Sequence, residues 1–337
     1  MKIDTVLYWR RNRQRCFVVG FSTQTVFRLI SSAFPNKDIM TNSTSSPPTL
    51  NPIVFATLAG LFIFLWASGF IAAKYGLPYA EPFTLMAARF VVGAAILVPA
   101  CFILKAAWPK SLKAASHILV AGFGVQTVYL IGVYYGIWFG VSTGITALVV
   151  GLQPLLTGVL AGFVLRETVT GRNWLGLVLG FVGLALVVWD RVVSPEDAWW
   201  GLVMLLMGLG GITAGTLYQK KYCGTFDVRT GVALQNVMSC IVMLVLAGLF
   251  ETMRINWTGA FVFAVLWSAI GLSVFAICLY YWLIQRGAAA RITSLIYLSP
   301  PTTAVMGWAM FGEVMSWWAI AGMAVATLGV ALAVRNR

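Results

Sequence analysis

A chain of 337 residues that is 60% hydrophobic and 10% charged, with a mean hydropathy of +0.88, has too few polar groups for a water-facing surface; soluble domains carry about 25% charged residues. The net charge of +13 does not point to nucleic acid, because Lys and Arg lie in an N-terminal tail and in short segments between apolar runs, the pattern that sets membrane topology. Runs of ~20 apolar residues are helix length and too long for barrel strands, and lipid excludes open sheet edges, so the expected class is an all-α polytopic membrane protein.

Residues 1–51 come first. Arg10, Arg11, Arg13 and Arg15 precede an apolar patch, Cys16–Phe21, too short for a secretory signal. The polar stretch Thr41–Thr49 cannot bury enough surface to fold. A basic, disordered tail is expected here, with Met40 as an alternative true start. Apolar runs then follow at roughly 53–74, 82–104, 116–137, 143–165, 173–190, 199–219, 230–250, 259–284, 291–312 and 317–334. That is room for ten transmembrane helices. Aromatic residues such as Trp108, Trp138, Trp174 and Trp257 mark the run ends, where interface anchors belong.

Basic residues set the expected orientation. Lys105, Lys110, Lys113, Arg166, Arg172, Lys220, Lys221, Arg229, Arg286, Arg291, Arg335 and Arg337 fall on one side, against Lys74, Arg191 and Arg254 on the other. The richer side should be cytoplasmic, which places both termini inside.

A repeat runs through the chain at a constant offset of 146 residues. Gly69 maps onto Gly215, Lys74 onto Lys220, Tyr134-Tyr135 onto Tyr280-Tyr281, Pro154 onto Pro300 and Thr157 onto Thr303. Glu167 maps onto Glu313, Gly176 onto Gly322 and Gly183 onto Gly329. Two repeats of five helices are expected, 52–191 and 198–337. An odd number of spans per repeat inverts the second relative to the first, which gives two similar conformations open to opposite sides around one central site.

These residues resemble the drug/metabolite transporter superfamily, in particular its ten-helix EamA-like members. The likeness is carried by Trp66-Ala-Ser-Gly-Phe-Ile-Ala-Ala-Lys74, by Arg89, and by Gln153-Pro154-Leu-Leu-Thr-Gly through Leu165-Arg-Glu167. It continues in Trp174-Leu-Gly176, Gly183, Ser299-Pro300-Pro301-Thr-Thr303 through Phe311-Gly-Glu313, Gly322 and Gly329. It covers about 52–337 and implies transport, often export, of small organic metabolites such as amino acids, in a bacterial inner membrane.

Candidate site residues follow from depth and chemistry. Pro154, with Pro300 and Pro301, interrupts helices at matching places in the two halves, and each proline frees the carbonyl four residues earlier, so kinks that shape or gate a cavity are expected alongside plain packing kinks. Gln153 precedes the first of these. Arg89 lies about two turns inside its span, where a charge costs ~2.5–3.5 kcal/mol and seeks a partner; it could hold a solute carboxylate. Its repeat equivalent is Gln235, beside Asn236. Trp66 and Tyr129 sit near mid-membrane, where such rings pack or line a cavity, and Gln126 shares a helix face with Tyr129. All ten acidic residues fall in tails, loops or helix ends, which favours facilitated diffusion or exchange over a buried-carboxylate proton relay, with Glu167 and Glu313 as possible exceptions.

The five cysteines show no C-x-x-C spacing and read as small buried hydrophobes. His117, the single histidine, reads as interfacial. No cofactor, metal or enzymatic constellation is expected. The expected partners are a small-molecule solute and the lipid bilayer, and the protein is a monomer or homodimer, the G-x-x-x-G spacings serving close helix contact. A membrane sensor or scaffold on a transporter fold is the alternative.

Overall fold

The computed structural model describes residues 52–166, 170–189, 197–224, 226–276, 279 and 298–334. The tail 1–51, Glu167, Arg191, Tyr280-Tyr281 and Arg337 lie outside the described residues. The helices are α1 Pro52–Gly76, α2 Pro82–Ile103, α3 Leu112–Gly122, α4 Tyr129–Trp138, α5 Thr143–Gly151, α6 Gln153–Leu165 and α7 Gly171–Trp189. They continue as α8 Asp197–Tyr222, α9 Val228–Phe250, α10 Gly259–Leu266, α11 Ser299–Phe311 and α12 Trp317–Val334. Wide π-helical stretches join α3 to α4 (Phe123–Val128) and extend α10 (Trp267–Ala276).

Among the described residues, six helical stretches are long and apolar enough to cross a bilayer: Ile53–Tyr79, Pro82–Ile103, Leu112–Trp138, Thr143–Leu165, Trp199–Tyr222 and Val228–Phe250. Shorter apolar helices occupy Trp174–Leu186, Gly259–Leu272 and Trp317–Gly329. The chain is therefore a helical, multi-pass membrane protein. The count of ten depends on 280–297, outside the described residues.

Local sequence sets the helix ends. Ser111, Ser142, Asp227 and Thr258 each accept an amide hydrogen from the first turn of the helix they precede, which satisfies donors that would otherwise be orphaned. Prolines open α2, α6 and α11, where the missing N–H costs nothing. Shifted by 146 residues, α6 falls on α11 at both ends, and each closes on a left-handed residue, Arg166 (φ 57°) and Gly312 (φ 65°). The first π-helical stretch falls inside the second.

The packing shows that the repeats are inverted. At one end of α2, Glu81 accepts from Thr252 N and Oγ1, both at 2.7 Å, in the segment after α9. At the other end, its repeat equivalent Asp227 accepts from Ala107 N at 3.1 Å, in the segment after α2. Equivalent helices α2 and α9 thus lie antiparallel across a pseudo-two-fold axis. Burial would push the Asp227 carboxyl up, but hydrogen bonds from the Arg229 side chain and from the Ala107 and Arg229 amides outweigh it and hold the group below the usual carboxylate range. A third carboxylate, Glu251, takes Phe83 N (2.7 Å), Thr84 N (2.7 Å), Thr84 Oγ1 (2.8 Å) and Tyr135 Oη (3.0 Å), binding the N-terminus of α2 to the end of α9. Glu251→Gln should cost about 1–2 kcal/mol, read as a lower unfolding temperature in detergent.

The other equivalent pair, α7 and α12, meets through glycines with the same symmetry. A Cβ on Gly183 would collide with the Gly322 carbonyl oxygen, and one on Gly329 would lie 2.8 Å from the Gly176 carbonyl oxygen. The early part of each helix touches the late part of the other. Gly132 lets α4 close on α8 at Gly208 in the same way. Gly183→Ala should therefore push α7 from α12 and cost about 1–3 kcal/mol, again measured as thermal stability.

Candidate functional site

A cavity of about 260 Å³ opens among α1, α2, α4, α8, α9 and both π-helical stretches. Its wall includes Trp66, Gly69 and Phe70 from α1, Arg89 and Phe90 from α2, Val125 and Gln126 from the first π-helical stretch, and Tyr129, Leu130, Val133 and Tyr134 from α4. Ile212, Val232, Asn236 and Leu272 complete it from the second repeat. Three pairs in this set are repeat equivalents: Trp66 with Ile212, Phe90 with Asn236, and Gln126 with Leu272. The cavity therefore lies on the pseudo-two-fold axis, where inverted-repeat transporters hold their solutes. π-Helical turns contribute to it from both repeats; such turns recur at functional sites because they displace side chains from the regular helical register.

The walls are mostly apolar, and Arg89 is the one charged residue in them among the described residues. Its Nη1 donates to Tyr134 Oη at 3.3 Å, and its guanidinium lies 5.9 Å from the centre of the Phe90 ring. Of its five N–H donors, one makes this long hydrogen bond among the described residues. Asn236 is 5% exposed, and its Oδ1 has no partner among the described residues. Behind the wall, Thr127 Oγ1 and Ser239 Oγ pair at 2.9 Å, joining the first π-helical stretch to α9. The Trp267 indole donates to Ser68 Oγ at 2.8 Å, joining the second to α1.

Of the residues singled out from sequence, Trp66, Arg89, Gln126, Tyr129 and Asn236 share this cavity. Gln153 does not line it. Its Nε2 donates to Thr157 Oγ1 at 3.2 Å, one turn along its own helix, and lies 3.5 Å from Thr216 Oγ1. Pro154, Pro300 and Pro301 also stand off the wall. The expected kink at Pro154 is a break two residues earlier: α5 ends, the Leu152 amide turns back to the Val149 carbonyl at 3.2 Å, and Pro154 sits in the first turn of α6. Pro300 and Pro301 occupy the first turn of α11. The break between α5 and α6 meets the start of α11, since a Cβ on Gly151 would lie 3.3 Å from the Pro300 ring.

Sequence reasoning passed over a second cluster. Lys74, in the last turn of α1, forms an ion pair with Glu313, just past the end of α11. Glu313, one of the two possible exceptions among the acidic residues, has a side chain that is 7% exposed. The carboxylate also accepts Thr143 N (3.1 and 3.0 Å to its two oxygens) and Thr143 Oγ1 (2.8 Å), at the N-terminus of α5. That terminus favours an anion. Gly307 makes room, since a Cβ there would collide with the Glu313 carboxylate and the Thr143 hydroxyl. Lys74 and Thr143 belong to the first repeat and Glu313 to the second. The signal that could have found the cluster was the repeat itself, which aligns Lys74 and Glu313 with Lys220 and Glu167 among otherwise aliphatic spans. His117 Nδ1 lies 2.8 Å from Tyr218 Oη and its ring stacks on Tyr222, away from the cavity.

Comparison with known proteins agrees with this architecture. The model of the EamA-like transporter family matches twice, over residues 52–189 and 199–335. The chain belongs to the EamA-like transporter family. Similar EamA-like proteins include the uncharacterized transporter YvbV of Bacillus subtilis, 25% identical over 287 residues, or 82% of this chain and 90% of that one. The uncharacterized inner membrane transporter YedA of Escherichia coli is 25% identical over 83% of this chain and 90% of its own length. A probable amino-acid metabolite efflux pump of Salmonella typhimurium is 25% identical over 49% of this chain and 52% of its own. One crystal structure superposes with a TM-score of 0.57 at 17% identity, covering 84% of this chain and 98% of that one, a likeness of fold. The EamA-like family and these relatives are transporters.

Proposed function

We propose that this protein is a secondary transporter that exports small organic metabolites, amino acids or related compounds, across a bacterial inner membrane by alternating access. The observation that carries it is a cavity on the axis between inverted repeats, mostly apolar and holding one cation among the described residues, Arg89. At about 260 Å³ it falls below the ~300–1,000 Å³ of drug-sized sites, which favours a small metabolite. Arg89 would take the carboxylate through its guanidinium fork. Trp66 and Tyr129 would pack against the apolar part of the solute.

With both termini cytoplasmic, as the basic residues favour, the Lys74–Glu313 end of the bundle faces outward. Opening that end requires the repeats to part there, so the Lys74–Glu313–Thr143 contacts would break. Residues 1–51 would be a dispensable extension. The experiment is solute counterflow in liposomes loaded with an amino acid panel. Accumulation of labelled solute against a loaded pool supports the reading, and folded protein that moves nothing across a broad panel defeats it.

A further inference from the structure

A solute's own charges must fit the charges that surround it. In the cavity wall those are unequal, with Arg89 the one charged residue among the described residues. Carboxylates are placed elsewhere: the ten acidic residues of the chain sit in tails, loops or helix ends. Four of them are already engaged, Glu81 with Thr252, Glu251 with the N-terminus of α2, Asp227 with Arg229 and Glu313 with Lys74. None of these four lines the cavity.

A carboxylate that enters therefore meets a guanidinium, and the pair is neutral. An ammonium that enters meets only uncharged groups among the described residues, rings such as Trp66 and Tyr129 and the amide of Gln126. A ring face returns part of the hydration that an ammonium loses, and no more. The same ammonium is also repelled by Arg89, since like charges in apolar surroundings are weakly screened. A monoanion thus leaves the loaded cavity uncharged. A zwitterion leaves it with a net positive charge and one group without a counter-charge.

We propose that the cavity selects monoanionic organic acids with an apolar body and no free ammonium over the zwitterionic amino acids of the same skeleton. This rests on the reading of the cavity as the solute site and narrows its solute class. Amino acids are the second rank of solute, because Arg89 still takes their carboxylate while the ammonium weakens them. An amine without a carboxylate offers Arg89 nothing and is the poorest of the three.

The test is isothermal titration of the purified full chain in lipid nanodiscs at about pH 7.5, where carboxylates and ammonium groups are both charged. The solutes share a phenyl skeleton: 3-phenylpropanoate, 3-phenyllactate, phenylalanine and 2-phenylethylamine. The two acids should bind within about threefold of each other and at least about tenfold more tightly than phenylalanine, with the amine weakest. 3-Phenyllactate carries a hydroxyl where phenylalanine carries its ammonium, so it separates charge from bulk. Gln126→Glu, equal in size, adds a carboxylate to the wall and should move the ratio toward phenylalanine by at least about tenfold. Phenylalanine that binds as tightly as 3-phenylpropanoate overturns the proposal without any variant. So do 3-phenyllactate as weak as phenylalanine, an amine that matches the acids, binding of none of the solutes, or a ratio unmoved in folded Gln126→Glu. Arg89→Met separates the two levels. If it abolishes binding and the parent shows no preference for the acids, the cavity reading stands and the charge selection falls. If every solute binds Arg89→Met unchanged, the solutes bind elsewhere and both fall.

Discussion

Arg89→Met should abolish counterflow of acidic solutes while leaving the protein at least as stable as its parent. The two effects separate because the residue is expensive where it stands. A charge at membrane depth costs ~2.5–3.5 kcal/mol, and its one side-chain hydrogen bond among the described residues, to Tyr134 at 3.3 Å, is long. Removing the charge relieves that cost, and the Tyr134 hydroxyl, on a residue 2% exposed, loses a partner worth about 1 kcal/mol. The balance does not favour unfolding. For the solute the sign reverses. A carboxylate entering the cavity loses its water, and without the guanidinium it forfeits a charge-assisted contact of about 1.5–3 kcal/mol, roughly 10- to 100-fold in affinity. Arg89→Lys should recover part of this, since it restores the charge but not the planar fork. Thermal stability and counterflow on the same preparation check both halves.

Lys74→Met should disturb the protein more than Glu313→Gln, although both remove the same ion pair. Side-chain exposure explains the difference, 32% for Lys74 and 7% for Glu313. With Glu313 neutralised, Lys74 can turn toward solvent, and the glutamine still accepts from Thr143. With Lys74 neutralised, a carboxylate stays buried on the Thr143 donors alone. Losing one partner of a buried pair costs about 3–5 kcal/mol, and the partial exposure of Lys74 places this case lower, at about 2–3 kcal/mol. If the ion pair exists only while that end of the bundle is closed, the cost falls on the closed conformer, and 2 kcal/mol shifts the population roughly 30-fold toward the open one. Exchanging the charges should rescue only in part, because a lysine at position 313 would face the N-terminus of α5, which prefers an anion. Thiol-reagent accessibility of the cavity from the Lys74 end, compared across the three variants, reads this shift.

Much of the fold was legible because two signals do not depend on packing detail. Apolar length marked the six spans found among the described residues, and a single offset marked the repeat; the antiparallel contacts of α2 with α9 and of α7 with α12 are those that an odd number of spans per repeat would give. The cavity residues were legible from depth, since Arg89 and Asn236 are polar where lipid would be costly and Trp66 and Tyr129 are amphipathic where no interface exists. Gln153 stands apart from this cavity for a local reason: Thr157, one turn away on the same helix, takes its amide. Pro154 marked the interruption, and the backbone places it at Leu152, since a proline that opens a helix and one that kinks it look alike in sequence. The partner of Glu313 could not be named because it lies 239 residues away, a separation that no local pattern reports. The unpaired oxygen of Asn236 could not be foreseen, since a lack of partners emerges only when the neighbours are in place.

The most direct test of alternating access about one central cavity is side-specific labelling at its wall. With the native cysteines replaced, Ile212→Cys places a thiol on the cavity wall near the repeat axis. In membrane vesicles of either orientation, an impermeant thiol reagent should reach that position from both faces, and a solute that supports counterflow should protect it from both. Reaction from one face alone, or labelling indifferent to solute, in protein shown to be folded, would contradict a site that opens alternately to the two sides.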